Sequence, residues 1–497
     1  MKKYFIIVSA FALALTSCSK KYLNEITPND GSIATNLVFV NKATVDNAMT
    51  GCYYLMQRYV FNRQNMYGWK TAQFNFDMRG NDLISDPANW WLYENNWSDN
   101  AYGRIATADR NAQIWNLCYK VMDNANAIIE GVPSISESQS VKDQLTGEAR
   151  ALRAWAYFQL ARIYQFTYAK DPNAPGVPLR TKSVLTSTTE ELTAGVPRSP
   201  LKDVYALITS DLEYAVGVMT STRVDKYRFN KNVVQGILAE VYQEMAMSDA
   251  TLWTKAVSNA VAARTGFPLM SAADYKAGFN DAKNAEWMWA IQFNASQSLS
   301  FAGFFGYIEP TNTPNTSFKP RYNDIYVNST FVNLFSATDA RNVFLPAPAQ
   351  SSSRPWKKWV TTKFQDNASQ SGDLVEMRSS EMYLIEAEGL AQQNQLEPAK
   401  DALYVLQLKR DPAAVRSTAA TKDALINEIL VERRKELYGE MGVEYFDLKR
   451  YQRPLVRDGI QWAMLNIPAT DNRWRWQIPQ TEMDANKALT AADQNPL

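Results

Sequence analysis

VKDQLTGEARALRAWAYFQLARIYQ, residues 141–165, reads as one long helix with an apolar stripe. Leu145, Ala149, Leu152, Ala156, Leu160 and Ile163 recur at three- and four-residue steps, the spacing that gathers side chains on one helical face. A partner precedes it. Ile114, Leu117, Val121, Ala125 and Ile128 form a second stripe, which Gly131-Val132-Pro133 ends. Two such helices joined by a short turn lie antiparallel and bury their stripes together. The pattern then repeats. Ser199-Pro200 supplies a cap and a first-turn proline ahead of Val204, Ile208, Leu212, Ala215 and Met219. Asn230 caps the next helix, striped by Val234, Ile237, Leu238, Val241, Tyr242 and Met245, and a further helix carries Trp253, Val257, Ala260 and Val261. Toward the C-terminus, Glu381–Gln392 carries Met382, Ile385, Ala387 and Leu390. Leu396–Lys409 opens with Pro398 and carries Ala399, Leu403 and Leu406. Lys422–Tyr438 adds Leu425, Ile429 and Leu437.

Helix pairs of this length, with small residues where helices cross, resemble tetratricopeptide repeats. Ala154-Trp155-Ala156-Tyr157 and Ala387-Glu388-Gly389-Leu390-Ala391 occupy the crowded positions of such a unit. Between the pairs lie two stretches without a period, both rich in aromatic residues among Asn, Asp, Ser and Gly: about 61–107 and about 266–375. Long irregular segments in a compact chain are functional or disordered, and this aromatic content argues against disorder. The fold class expected is mainly α. Tetratricopeptide-like helix pairs form a right-handed superhelical scaffold over about 30–60, 108–265 and 376–450, with large irregular insertions between them.

Charge and composition narrow the chemistry. Lys plus Arg total 52 and Asp plus Glu 51, a net charge of +1 that lacks the basic face nucleic acid requires. The chain has no His. That removes Ser-His-Asp and Cys-His nucleophilic catalysis and imidazole zinc sites. Beyond Cys18 only Cys52 and Cys118 remain, more simply two buried thiols than a disulfide. With 14 Trp, 25 Tyr and 21 Phe, there are more rings than a core needs.

The first residues read as an export signal. Lys2 and Lys3 precede an apolar run from Tyr4 to Leu15, too short to span a bilayer but right for a signal peptide. Leu15-Thr16-Ser17-Cys18 resembles a bacterial lipobox. Residues 1–17 are then the signal, and Cys18 is lipidated and opens a mature domain over 18–497. One acyl chain holds only marginally, so several chains on one Cys make a lasting tether. Ser19 stands where an Asp would argue for retention in the inner membrane.

Four blocks in order along the chain resemble the SusD/RagB lipoproteins. The first is Cys18-Ser-Lys-Lys-Tyr22-Leu23-Asn24. The second is Gly147-Glu148-Ala149-Arg150 through Tyr157-Phe158, with Tyr164 and Pro175-Gly176-Val177-Pro178-Leu179 after it. The third joins Glu381-Met-Tyr383-Leu384-Ile385-Glu386-Ala387-Glu388 to Glu432-Arg433-Arg434-Lys435-Glu436-Leu437 and Phe446-Asp447-Leu448-Lys449-Arg450. The fourth is Gln477-Ile478-Pro479-Gln480-Thr481-Glu482 with Gln494-Asn495-Pro496. The resemblance implies four repeat-like helix pairs and an irregular lid region. It also implies a surface-exposed lipoprotein of the outer membrane that delivers an oligosaccharide to a SusC-like TonB-dependent transport barrel, without turnover. Some relatives are linked to peptide uptake instead. Binding residues vary within the family and do not carry over by motif.

Those residues are therefore argued from chemistry. Sugars offer apolar C–H faces to rings and hydroxyl rims to planar polar groups. Asp77-Met-Arg79-Gly-Asn81-Asp82, followed by Trp90-Trp91-Leu-Tyr93-Glu-Asn95-Asn96-Trp97, interleaves both. The expected ligand set is Arg79, Asn81, Asp82, Trp90, Trp91, Tyr93, Asn96 and Trp97, with Tyr307 and Trp356 from the second stretch. Two or three rings at roughly 1 kcal/mol each give micromolar-to-millimolar affinity, suited to capture and release. Glu432 and Glu436 sit one turn apart beside Arg433, Arg434 and Lys435, which reads as a salt-bridged helix before it reads as a glycosidase pair. Asp77, Asp82 and Asp86 offer oxygen ligands to a structural Ca²⁺ but lack the spacing of a calcium loop. No cofactor and no catalytic residue is expected.

Overall fold

The computed structural model describes residues 38–57, 68–98, 103–223, 225–293, 303–312, 318–320, 325–347, 354–366 and 371–497. The export signal and Cys18 lie outside the described residues.

Eleven of its helices build the frame. They are α1 (Lys42–Gln57), α2 (Gly68–Arg79), α3 (Asp109–Gly131), α4 (Gln139–Tyr164), α5 (Leu201–Val218), α6 (Lys231–Met245), α7 (Trp253–Ala263), α8 (Ser379–Gln392), α9 (Leu396–Arg410), α10 (Lys422–Leu437) and α11 (Val443–Arg450). From α3 to α9 each helix packs chiefly on its neighbours in the chain, with α7 passing the stack on to α8, and α10 folds back onto α8. That is the one-dimensional order of a tetratricopeptide-like scaffold. The stripe read over 141–165 is buried as expected. Ser138 caps α4 by accepting from the Val141 N–H, and Asn230 and Thr421 cap α6 and α10 in the same way.

Two glycines set how closely helices cross. A Cβ on Gly147 would lie 2.8 Å from Val218 Cγ2, and one on Gly389 would lie 2.5 Å from Val257 Cγ2. Both sites need the missing side chain for α4 to meet α5 and for α8 to meet α7.

Two expectations change. Pro200 stands at the cap position of α5, one step outside the first turn, because Arg198–Pro200 pairs as a strand with Pro175–Pro178. Within the stretch read as irregular, α2 is a helix with all twelve residues buried. A helix enclosed on every side needs no polar face, so it carries no stripe to detect.

Short strands join the two insertions. Strands β1 (Leu83–Ser85), β3 (Ile325–Val327), β5 (Trp359–Thr361) and β4 (Phe344–Pro346) form one antiparallel sheet in that order. Leu83 sits opposite Val327, Val327 opposite Trp359, and Phe344 opposite Thr361. Strands β2 (Trp287–Ile291) and β6 (Leu374–Arg378) form a second, fully buried ladder.

A buried ionic network joins this ladder to the C-terminal helices. Glu436 on α10 accepts from Arg341, Arg378 and Arg410. Arg378 and Arg410 also reach Glu286, and Arg378 and Lys363 reach Glu440. Burial alone would raise the Glu436 carboxyl, but Arg410, Arg378 and Arg341 hold it well below the usual carboxylate range. Glu432 pairs with Arg341. Both glutamates of the α10 motif are thus structural partners, but of arginines from other elements rather than of the cations beside them, since Arg433, Arg434 and Lys435 pair with Asp447, Asp82 and Asp339. Cys52 and Cys118 are free and buried.

Candidate ligand-binding face

Three segments converge on the edge of the four-stranded sheet. After β1 the chain turns at Asp86-Pro87-Ala88-Asn89. The Asp86 carboxylate accepts from the Ala88 N–H (3.0 Å), and the Asn89 side chain accepts from the Trp91 N–H (2.6 Å). This Asx geometry sends adjacent rings in opposite directions. Trp90 is 45% exposed, while Trp91 is fully buried. The second segment precedes β5, where Lys357 forms an ion pair with Asp86 and so sets half-buried Trp356 beside the turn. The third runs from Asp458 to Met464. Asp458 accepts from the Asn328 amide (3.2 Å) and the Thr330 hydroxyl (2.7 Å). Gln461 donates to the Asn81 carbonyl (3.0 Å), and the Trp462 indole N–H donates to the Ser85 carbonyl (2.6 Å).

The structure separates the expected ligand residues into core and surface. Arg79, Asp82, Trp91, Trp97 and Tyr307 are buried, so they belong to the core and offer no free face. Trp91 lies 4.7 Å from the Arg110 guanidinium and edge-on to Phe74 (4.9 Å) and Tyr307 (5.4 Å). Arg79 lies 5.3 Å from both the Trp97 and Trp476 rings, and the Trp97 indole donates to its carbonyl (2.9 Å). Trp97 adopts the left-handed region at φ 53, a strain that this packing must offset. Asp82 pairs with Arg434 on α10.

Asn81 is half-buried and turned to α11, where its side-chain amide donates to Glu444 (3.0 Å). Asn96 is half-buried and accepts from the Ser98 N–H (2.9 Å). Tyr93 is half-buried beside them. The open set is therefore Trp90, Trp356, Tyr93 and Asn96. Trp462 joins it from a part of the chain where no second ring marks it in sequence.

The acidic residues of this region do not converge on a cation. Asp77 accepts from the Gly439 and Gly442 N–H groups, Asp82 meets Arg434, and Asp86 meets Lys357. The three carboxylates are thus held by separate partners rather than turned toward one point. Among the described residues no group of three metal-ligating side chains gathers, and no helix is long and apolar enough to cross a membrane.

Known proteins with this architecture carry it over nearly the full chain. A crystal structure of a SusD-like carbohydrate binding protein from Bacteroides vulgatus superposes with a TM-score of 0.78 at 26% identity, covering 92% of this chain and 99% of that one. A SusD superfamily protein from Bacteroides thetaiotaomicron gives 0.75 at 22% identity, over 92% and 100%, which speaks for the fold. In sequence, a SusD-like protein of Bacteroides ovatus is 26% identical over 49% of this chain and 39% of its own length. SusD-like protein P38 of Formosa agariphila is 34% identical over 26% of this chain and 22% of its own length. The chain thus spans less than half the length of these two relatives. A family described as starch-binding associating with outer membrane matches residues 21–243, and the SusD family matches residues 346–497. On both matches and the shared fold, this chain belongs to the SusD/RagB family.

Proposed function

We propose that the chain is a glycan-capturing lipoprotein of the outer membrane that binds an oligosaccharide on the Trp90 face and passes it, unaltered, to a SusC-like TonB-dependent barrel for which it serves as lid. Acyl chains on Cys18 tether it. The observation that carries this reading is Trp90 itself. A large ring stands open to solvent on a turn held by three hydrogen-bonded or ionic anchors, and the segments carrying Trp356 and Trp462 are tied to the same turn at Asp86 and Ser85. Rings placed this way fit sugar C–H faces, and Tyr93, Asn96, Asp86 and Lys357 supply the hydroxyl contacts. The similar Bacteroides vulgatus protein is named as carbohydrate binding, which favours sugar over the peptide ligand of some family members. Binding without turnover fits the carboxylates: Glu432 and Glu436 are committed to buried arginines, away from the open rings.

Affinity electrophoresis in gels containing plant or host polysaccharides tests this. The parent chain is retarded by its cognate glycan. Trp90→Ala combined with Trp356→Ala weakens binding about thirtyfold, from two rings at roughly 1 kcal/mol each, and leaves the melting temperature unchanged. Undiminished retardation of that double variant removes the site from consideration.

A further inference from the structure

A cavity of about 280 Å³ opens on the outer side of α3, sharing no residue with the Trp90 face. Its floor is apolar. The Trp115 and Tyr119 rings lie 4.8 Å apart, with Met122 below and Val184 at the rim. The polar ends of both rings are already engaged: the Trp115 indole donates to Glu482 (3.4 Å) and the Tyr119 hydroxyl to the Pro178 carbonyl (2.8 Å). Trp115 is itself buried, so the ring surface that faces the space is that of half-buried Tyr119, with Trp115 packed behind it.

The charges around this floor are unequal once their partners are counted. Asp123 accepts from the Val184 N–H (2.8 Å) and the Ser183 hydroxyl (3.2 Å). Glu482 takes the Trp115 indole and the Asn486 amide. Lys182 is paired with Glu191 (2.7 Å). Lys120, Arg180 and the Asn116 amide also line the cavity, and among the described residues their side chains form no hydrogen bond or ion pair. The Arg180 charge lies close enough to the Tyr119 hydroxyl to oppose the rise that burial imposes on it. A ring floor with an unspent guanidinium, ammonium and amide at its rim is complementary to one sugar ring carrying a negative charge.

We infer that this cavity is a second saccharide site, selective for a sugar unit bearing a carboxylate. The inference rests on the glycan-binding reading above and adds a place and a charge class to it. The anion meets Arg180 and Lys120, the ring lies on Tyr119, which Trp115 backs, and Asn116 takes a hydroxyl. A neutral sugar leaves the cations unpaired and gains little. Exposure of Lys120 makes the attraction salt-sensitive.

Calorimetric titration of the mature chain with a galacturonate trisaccharide, and with its uncharged methyl ester, tests this. The acid is expected to bind at least tenfold more tightly than the ester, and less tightly as salt is raised. Arg180→Met, or Lys120→Met on the exposed rim, is expected to lower affinity for the acid about ten- to hundredfold and about threefold, respectively, and to leave that for the ester and the melting temperature unchanged. Trp90→Ala leaves the acid-specific binding in place. Equal binding of acid and ester, or an unaltered Arg180→Met variant, overturns the second site while leaving the Trp90 face standing. Acid-selective binding that depends on Arg180, with Trp90→Ala silent toward every sugar, overturns the Trp90 face instead. Absence of all saccharide binding overturns both.

Discussion

Trp90 and Trp91 are neighbours in sequence with opposite work to do. The Asx turn at Asp86–Asn89 points one to water and the other under Arg110. Trp91→Ala removes a fully buried ring from the Phe74–Tyr307 cluster and is expected to cost about 3–5 kcal/mol, read as a lower midpoint in urea. The same substitution at Trp90 is expected to leave that midpoint unmoved. Composition marks the segment as aromatic and polar, and so points to the stretch that holds the proposed face. It cannot rank the rings within it, because direction is set by a turn and by Arg110, which lies on another helix. Trp462 escapes for a related reason: it is isolated in sequence and reaches the face only through its bond to Ser85.

At the level of elements, period governs what can be read. Helices α3 to α10 each bury one side, and their stripes show in the sequence. Helix α2 buries every side, including Lys70, whose ammonium donates to the Val375 carbonyl (3.3 Å), so polar and apolar residues mix without order. The charged run on α10 is legible as ion-paired, but neither its depth nor its partners are, because every one of them lies on another element. Glu436→Gln takes the shared carboxylate from three buried arginines and is expected to cost about 3–5 kcal/mol, measured by chemical denaturation.

Two other buried carboxyls at the strand-to-helix junction from β6 to α8 behave oppositely to Glu436. Burial lifts Glu376 to about 8 against the attraction of Lys70, and lifts Glu381 to about 8 with help from Glu240. Each stays protonated in the folded chain at neutral pH while its unfolded counterpart, with the ordinary value of 4.5, ionises. Their contribution to stability is therefore complete below the unfolded value and is lost as pH rises through the folded one. Melting temperature is expected to fall between about pH 5 and 8, and Glu376→Gln with Glu381→Gln is expected to flatten that fall. A double variant with the parent's pH profile would rule out these two groups as its source.

Over the whole molecule, fold and ligand face were legible to different degrees. The fold shows itself because four motif blocks and a series of stripes recur in order along the chain, and packing tolerates variation around them. The proposed ligand face is assembled from segments near residues 90, 356 and 462, whose meeting depends on β1, β3 and β5 pairing across more than two hundred residues. No local pattern encodes such a junction. The buried network around Glu436 and the aromatic cluster around Arg79 give the face a firm base, so that its open rings need not reorganise on binding.

The central claim is that this platform holds a glycan by ring faces and returns it unchanged. Prolonged incubation of the purified mature chain with the polysaccharide that retards it, followed by sizing of the recovered ligand, addresses that most directly. Full recovery at the original chain length, with saturable binding that Trp90→Ala combined with Trp356→Ala weakens about thirtyfold, is the outcome expected. Shortened chains accumulating with time would contradict it.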